Sequence, residues 1–423
     1  MILKVGQVAT IYGQLRPPSD KSLTHRAYML GAIATSPSTI SSPLEGEDCE
    51  STLRCLGQMG LGASRDGSVV HLQPIQDWHA PRADLNCGNS GTTMRLLSGL
   101  IASRPISATL TGDESLSRRP MGRIAEPLTL MGARFEGTTA PIRIHGTTLK
   151  GINYSTPVAS AQIKSAILLA GLRAIGSTFV KEPILSRDHT ERMLTALGID
   201  ILRDERGVGL AGEQIFQGFQ FSVPADISSA AFWAVAAAVT PGSEVALTDV
   251  GVNPSRTGLL DVLTQAKVRF ELSDQREELG EPIATLRIWG TDDLRAFRID
   301  GELVPRLIDE IPVLAVLATQ CQGVSEVRGA KELRVKESDR IQSVASGLRA
   351  MGATVETFDD GLAIEGPVRL KGTTIDSQGD HRIGMSFAIA GLIAEGTTMI
   401  ENAEAIATSY PNFERDLWSL AVV

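Results

Sequence analysis

The sequence predicts an α/β protein of six similar units, grouped as two domains of three. Three observations carry this: a small-residue helix start recurs, a second helix ending in glycine recurs in step with it, and a strand–turn–strand signal follows. Polar caps that open runs of small and apolar residues stand at Asp20, Asn89, Ser160, Asp226, Asp309 and Asp380, at intervals of roughly 70 residues. The second helix closes in Leu-Gly-Gln-Met-Gly60, Leu-Thr-Leu-Met-Gly132, Leu-Thr-Ala-Leu-Gly198 and Leu-Arg-Ala-Met-Gly352, with looser copies near Ala266 and Ala421. Ala353–Ile364 then alternates around Asp360-Gly361 as a hairpin does.

Taken in order, the chain opens with a strand over Ile2–Tyr12, stopped by Pro17 and Pro18 before the first cap. Strands over Ser38–Ser41, Thr178–Lys181, Glu244–Leu247 and Thr398–Glu401 fall between the two helices of a unit. The first helices are mostly Ala, Gly, Ile, Leu and Val, so they are expected to be buried all round at the centre of each domain. The third unit ends near Val223-Pro224, where the chain divides.

Composition narrows the function classes. A net charge of −9 argues against a protein that holds nucleic acid by bulk electrostatics, and 4% aromatic residues against a base-stacking surface. Cys49, Cys55, Cys87 and Cys321 show no CxxC spacing, which predicts a reducing, cytoplasmic setting without a zinc site or disulfide framework. Ala230–Val239 falls short of the ~18–20 apolar residues of a membrane span, and the N-terminus lacks a signal-peptide pattern. Lys21-Ser22 has the ending of a Walker A loop, but Pro17-Pro18-Ser19-Asp20 stands where its glycines belong. HExxH and GxSxG are absent, so neither a metal nor a covalent nucleophile is expected.

What remains is anion chemistry. Capped helix starts present backbone N–H groups and the positive end of the dipole. Lys21, Ser22, His25 and Arg26 crowd the first of them; Arg95 and Lys164 follow two others. Arg118, Arg119, Arg123 and Arg187 lie in neighbouring loops, and Arg382 opens the sixth helix. Lys336 and Arg340 stand at i,i+4 spacing, which on a helix costs a few tenths of a kcal/mol. Asp48, Asp309 and Glu337 lie among these cations, a pairing suited to general acid–base chemistry in a substrate that carries several negative charges.

The ordered segments Pro18-Ser-Asp-Lys-Ser-Leu-Thr-His-Arg26, Gly88-Asn-Ser-Gly-Thr-Thr-Met-Arg95, Arg119-Pro-Met-Gly-Arg123, Ser160-Ala-Gln-Ile-Lys164 and Arg187-Asp-His-Thr-Glu191 resemble the 5-enolpyruvylshikimate-3-phosphate synthase family, class II branch. So do Asn253-Pro-Ser-Arg256, Ile308-Asp-Glu310, Lys336-Glu-Ser-Asp-Arg340 and Gly379-Asp-His-Arg382; the resemblance covers essentially the whole chain. It implies two domains of three βαβαββ repeats each, an inside-out α/β barrel, with residues 16–227 in one domain and 228–423 plus the strand 1–15 in the other. It places the active site in the cleft between them. It also implies transfer of the enolpyruvyl group of phosphoenolpyruvate to the 5-hydroxyl of shikimate 3-phosphate by a cytoplasmic monomer, through a tetrahedral intermediate and without a cofactor.

By that resemblance Lys21, Asn89, Gly91, Arg119, Gln162, Arg340 and Arg382 hold phosphoenolpyruvate. Lys21, Ser22, Arg26, Ser160, Ala161 (through its backbone), Gln162, Arg187, Asp309 and Lys336 hold shikimate 3-phosphate. Lys21, Asp309 and Glu337 share the proton transfers; Gly91 leaves room for glyphosate, the family's inhibitor, while the class II resemblance often goes with tolerance. One departure stands out: other members carry a Lys where this chain has Ala407-Thr-Ser-Tyr-Pro411, so that cation is absent. The sister transferase acting on UDP-N-acetylglucosamine uses a loop cysteine where Glu114 stands here, and a non-catalytic anion-binding scaffold would not need Lys21, Asp309, Glu337 and Arg382 together.

Overall fold

The structure, a computed structural model, describes residues 1–422. The chain forms two compact units. A middle unit comprises Ser19–Val223 with Glu277–Glu281; a terminal unit comprises Met1–Pro18, Pro224–Arg276 and the chain from Pro282 onward.

The middle unit holds three four-stranded sheets with one repeated topology. In the second repeat, Leu85–Asn86 runs parallel to Ser107–Thr111, Ile142–His145 pairs antiparallel to that, and Arg134–Glu136 lies outermost. The third repeat has the same order in Asn153–Ser155, Ser177–Lys181, Gly207–Ala211 and Ile201–Arg203. The first repeat has no leading strand before its helix. Gln220–Ser222, from the far end of the unit, supplies it by pairing parallel to Ser38–Ser41.

The terminal unit has the complementary arrangement. Where the sequence predicts one strand over Ile2–Tyr12, two are present, Leu3–Gly6 and Thr10–Leu15. Val8 between them turns its N–H to the Leu392 carbonyl at 3.0 Å, which interrupts any ladder. Thr10–Leu15 leads the fourth repeat, parallel to Glu244–Gly251, while Leu3–Gly6 closes the sixth, antiparallel to Thr397–Glu401. The repeats therefore follow βαβαββ, each with its own sheet, except that the sixth sheet has three strands and the fourth gains Ala421–Val422 as a fifth; no sheet closes into a barrel among the described residues.

The first helices are buried as expected. All residues of Ile227–Val239 are buried, and Ala or Gly occupies much of the inner surface of the others. Small residues permit close crossing: a Cβ on Gly99 would lie 2.2 Å from the Ala166 carbonyl, so the helices Gly91–Ala102 and Ala161–Gly171 meet backbone to backbone. In the terminal unit Trp233 stacks on Phe413 with centroids 5.2 Å apart and donates its indole N–H to the Tyr410 hydroxyl at 2.9 Å. The Ala407–Pro411 segment, which lacks the family's lysine, thus supplies a buried core tyrosine. Gly60, Gly132, Gly198 and Gly352 all take positive φ just beyond their helices, and Lys267 does so in the fourth copy.

The caps depart from expectation in two places. Asp20, Ser160, Asp226 and Asp380 accept from backbone N–H groups in the first turn of their helices. Ser90, not Asn89, caps the second central helix, because the Asn89 carboxamide is engaged by side chains. Asp309 caps nothing: the fifth helix runs Ile311–Ala318 from Glu310, without a side-chain cap, and carries Pro312 in its first turn, where the fixed φ suits it. The helical spacing read for Lys336 and Arg340 also fails. Lys331–Val335 is a 3-10 turn, Lys336 is extended, and a new helix starts at Arg340, so the i,i+4 repulsion does not arise.

Candidate active site

In the middle unit the Asp20 helix delivers Lys21 to solvent-facing ground. Its ammonium lies 3.0 Å from Asp48 Oδ2, at the start of the helix Glu47–Gly57. His25, one turn on, is buried and shares its Nδ1 with the Thr52 hydroxyl at 2.7 Å. Burial pushes its pKa down to about 3; Asp48 opposes this, while Lys21 and Arg26 add to it. It is neutral and structural at physiological pH. Arg26 is buried too and spends its donors inside the fold, on the Thr190 hydroxyl, the Ser22 carbonyl and the Ser165 hydroxyl at 2.8–2.9 Å. Its pKa falls to about 10 through burial, against the pull of Glu191 and Asp20.

The next helix start builds a second cationic group. Arg119 donates to Asn89 Oδ1 at 3.0 Å and to the Ser115 hydroxyl at 3.2 Å, and Asn89 donates to Asp113 at 2.7 Å. Arg95 donates to Gln162 Oε1 at 2.7 Å, and Gln162 donates to the Thr92 hydroxyl. Gly91 is where these meet: a Cβ there would lie 2.8 Å from one Arg95 nitrogen and 3.5 Å from one of Arg119. Two guanidinium groups beside a helix N-terminus are poised for an anion. Arg95 was not among the residues implied by resemblance; its position one turn into a capped helix was the only signal.

Lys164 is not an open cation. Its ammonium is buried between Glu182 and Glu191, 2.8 Å from each. Burial alone would lower its pKa, but the two carboxylates outweigh burial and raise it. Ser160, Ala161 and Arg187 lie at the edge of this cluster, all partly exposed. Glu182 lies in a segment without any motif and was invisible in the sequence.

The terminal unit assembles the second set around Arg340. This guanidinium is 2% exposed and meets three carboxylates: Glu337 at 2.7 Å, Asp380 at 2.8 Å and Asp309 at 3.4 Å. Burial disfavours its charge, but Glu337 and Asp380 outweigh it and hold the proton more tightly than usual. Asp380 shows the reverse balance, with burial raising and Arg340 lowering its pKa to a net depression. Lys336 approaches Asp309 at 3.5 Å, and Arg382 donates to the Asp309 carbonyl at 3.2 Å. Asp309, Lys336, Glu337, Arg340 and Arg382 are thus brought together. Glu114 forms an exposed ion pair with Arg118.

Among the described residues no group of three His, Cys, Asp or Glu side chains is arranged to hold a metal, and no helix is long and apolar enough to cross a membrane.

The profile of the family described as EPSP synthase (3-phosphoshikimate 1-carboxyvinyltransferase) matches residues 5–417. A relative from Bacillus thuringiensis subsp. konkukian, named 3-phosphoshikimate 1-carboxyvinyltransferase, is 49% identical over 97% of this chain and 96% of its own. The solved EPSP synthase of Acinetobacter baumannii superposes with a TM-score of 0.90 at 42% identity, covering 100% of this chain and 98% of that one. The enolpyruvyl transferase NikO of Streptomyces tendae shares the fold, with a TM-score of 0.79 at 19% identity over 99% and 97%. Six βαβαββ repeats, cation clusters at capped helix starts and relatedness along nearly the whole chain agree: the chain belongs to the EPSP synthase family.

Proposed function

We infer that this chain is a 3-phosphoshikimate 1-carboxyvinyltransferase, moving the enolpyruvyl group of phosphoenolpyruvate onto the 5-hydroxyl of shikimate 3-phosphate in aromatic amino acid biosynthesis. The observation that best supports the assignment of roles is the gathering of Asp309, Lys336, Glu337, Arg340 and Arg382 within one cluster.

The reaction needs a proton taken from the 5-hydroxyl, a proton given to carbon 3 of phosphoenolpyruvate and later removed, and stabilised charge on the departing phosphate. Asp309, flanked by two cations, is the carboxylate assigned to the hydroxyl side. Lys21 and Glu337 serve carbon 3; each is paired with an opposite charge, Asp48 and Arg340, that holds it in place. Arg119, Arg382 and the N–H groups near Gly91 take the donor's phosphate and carboxylate, with Asn89 and Gln162 orienting the guanidinium groups. Ser22, Ser160, Ala161, Gln162, Arg187 and Lys336 take the acceptor. Arg26 and Arg340 are so fully engaged that their part is to shape the pocket as much as to touch substrate. The enzyme is proposed to act as a cytoplasmic monomer.

A coupled phosphate-release assay tests the assignment. Turnover with phosphoenolpyruvate and shikimate 3-phosphate together, and none with either alone, is expected; no release from the pair overturns it.

A further inference from the structure

We propose that Lys164 is a positioning residue for the acceptor site, acting through Glu182 to hold Ser160 and the Ser186-Arg187 loop at fixed separation. The inference rests on the assignment of Ser160, Ala161 and Arg187 to shikimate 3-phosphate.

The geometry is specific. Lys164 Nζ contacts Glu182 Oε2 and Glu191 Oε1 at 2.8 Å and donates to the Ser186 carbonyl at 3.2 Å. Glu182 in turn accepts two backbone N–H groups from separate segments, Ser160 on Oε1 at 3.0 Å and Ser186 on Oε2 at 3.2 Å. One carboxylate thereby ties the start of the Ala161–Gly171 helix to the loop that carries Arg187. Lys164 is the cation that faces this carboxylate and keeps it aimed.

The arrangement extends to a further acceptor residue. Glu191 is a favourable charge partner for Arg26, and Arg26 donates to Thr190 and Ser165, beside Glu191 and Lys164 in the chain. Two cations and two carboxylates make a charge-balanced set, all buried. A hydrophobic core would hold the helix without these costs of burying charge. Their use here is explained by what they fix, because side chains that must meet a rigid phosphorylated ring need supporting residues with locked rotamers.

A positioning role predicts a selective kinetic signature. Lys164→Met should raise KM for shikimate 3-phosphate by about tenfold or more while KM for phosphoenolpyruvate changes by less than about twofold. Lys164→Arg, which keeps the charge, should recover part of that loss. Because Lys164→Met leaves two carboxylates buried, Glu182→Gln is the second variant: it keeps shape, keeps the Lys164–Glu191 pair and offers one acceptor where two are needed. It should show the same selectivity, and calorimetric titration with shikimate 3-phosphate alone should show the matching loss of affinity. If Glu182→Gln folds with the wild-type melting temperature and wild-type affinity for shikimate 3-phosphate, the proposal is overturned. It is equally overturned if both KM values rise together. Failure of the wild-type enzyme to bind shikimate 3-phosphate would instead overturn the functional assignment.

Discussion

Lys21 illustrates how much a single residue can be assigned by place. It sits at the first position of a helix capped by Asp20 and pairs with Asp48, and both side chains retain some exposure. A partly exposed pair of this kind contributes about 1 kcal/mol. Lys21→Met should therefore lower the melting temperature by only a few degrees while cutting turnover by about 10²-fold or more, the scale for losing a group that acts on the transition state. A large loss of melting temperature would show a structural role instead. Gly91→Ala makes the opposite kind of change, adding one methyl. It would press on Arg95, held by Gln162, and approach Arg119. The fold should survive, because a guanidinium end can move. KM for phosphoenolpyruvate should rise severalfold, with KM for shikimate 3-phosphate nearly constant, in steady-state kinetics on both substrates. Residue types were legible at this scale; engagements were not. Arg26, Lys164 and Arg340 read as open cations in the sequence, yet each is buried and matched, because partners such as Ser165, Glu182 and Asp380 meet them only in the fold, from other segments of the chain.

At the scale of elements, helix starts hold the site together. His25 on the first central helix meets Thr52 on the next helix; Thr52 meets Thr93 at 2.6 Å, and Thr93 meets the cap Ser90 at 2.7 Å. This hydroxyl chain links three elements, and a protonated imidazole there would bury a second N–H, on Nε2, that has no partner among the described residues. The native state refuses a proton that the unfolded chain binds between its ordinary pKa of 6.5 and about 3. Stability is then full above pH 6.5 and falls by about 1.4 kcal/mol per pH unit below it. Urea unfolding at pH 6.5 and pH 5 should show a drop of about 2 kcal/mol that His25→Gln largely removes. An equal drop in the variant would rule His25 out as its source. Four of six caps were readable from sequence, as were the glycine-ended second helices. Asn89 and Asp309 misled because they are polar residues beside a helix start that serve other side chains, and a short Asx residue looks the same in both uses.

Across the whole molecule, a net charge of −9 surrounds local clusters of cations. Saturating shikimate 3-phosphate should protect backbone amides in Ser22–Arg26, Ser160–Lys164 and Ser186–Glu191 from hydrogen exchange. Stabilisation is expected to approach about 2.7 kcal/mol at a hundredfold excess over Kd. Uniform protection, or none in these segments, would contradict the assignment. The recurring helix pairs were visible in the sequence, but the sharing of strands was not. A strand such as Gln220–Ser222 is too short to carry its own register signal, and its partner is more than 170 residues away.

That sharing of strands bears on how the protein is made. Leu3–Gly6 leaves the ribosome long before its partner Thr397–Glu401. At about 5–20 residues per second the leading strand waits for tens of seconds without its partner. The middle unit waits less, since its last strand is complete once Ser222 has emerged and its last segment, Glu277–Glu281, follows well before Thr397. Birth order and chain order therefore differ: the interior of the polypeptide is ready to mature before its beginning. The exposed N-terminal strands of the nascent chain are the part most in need of a chaperone's cover.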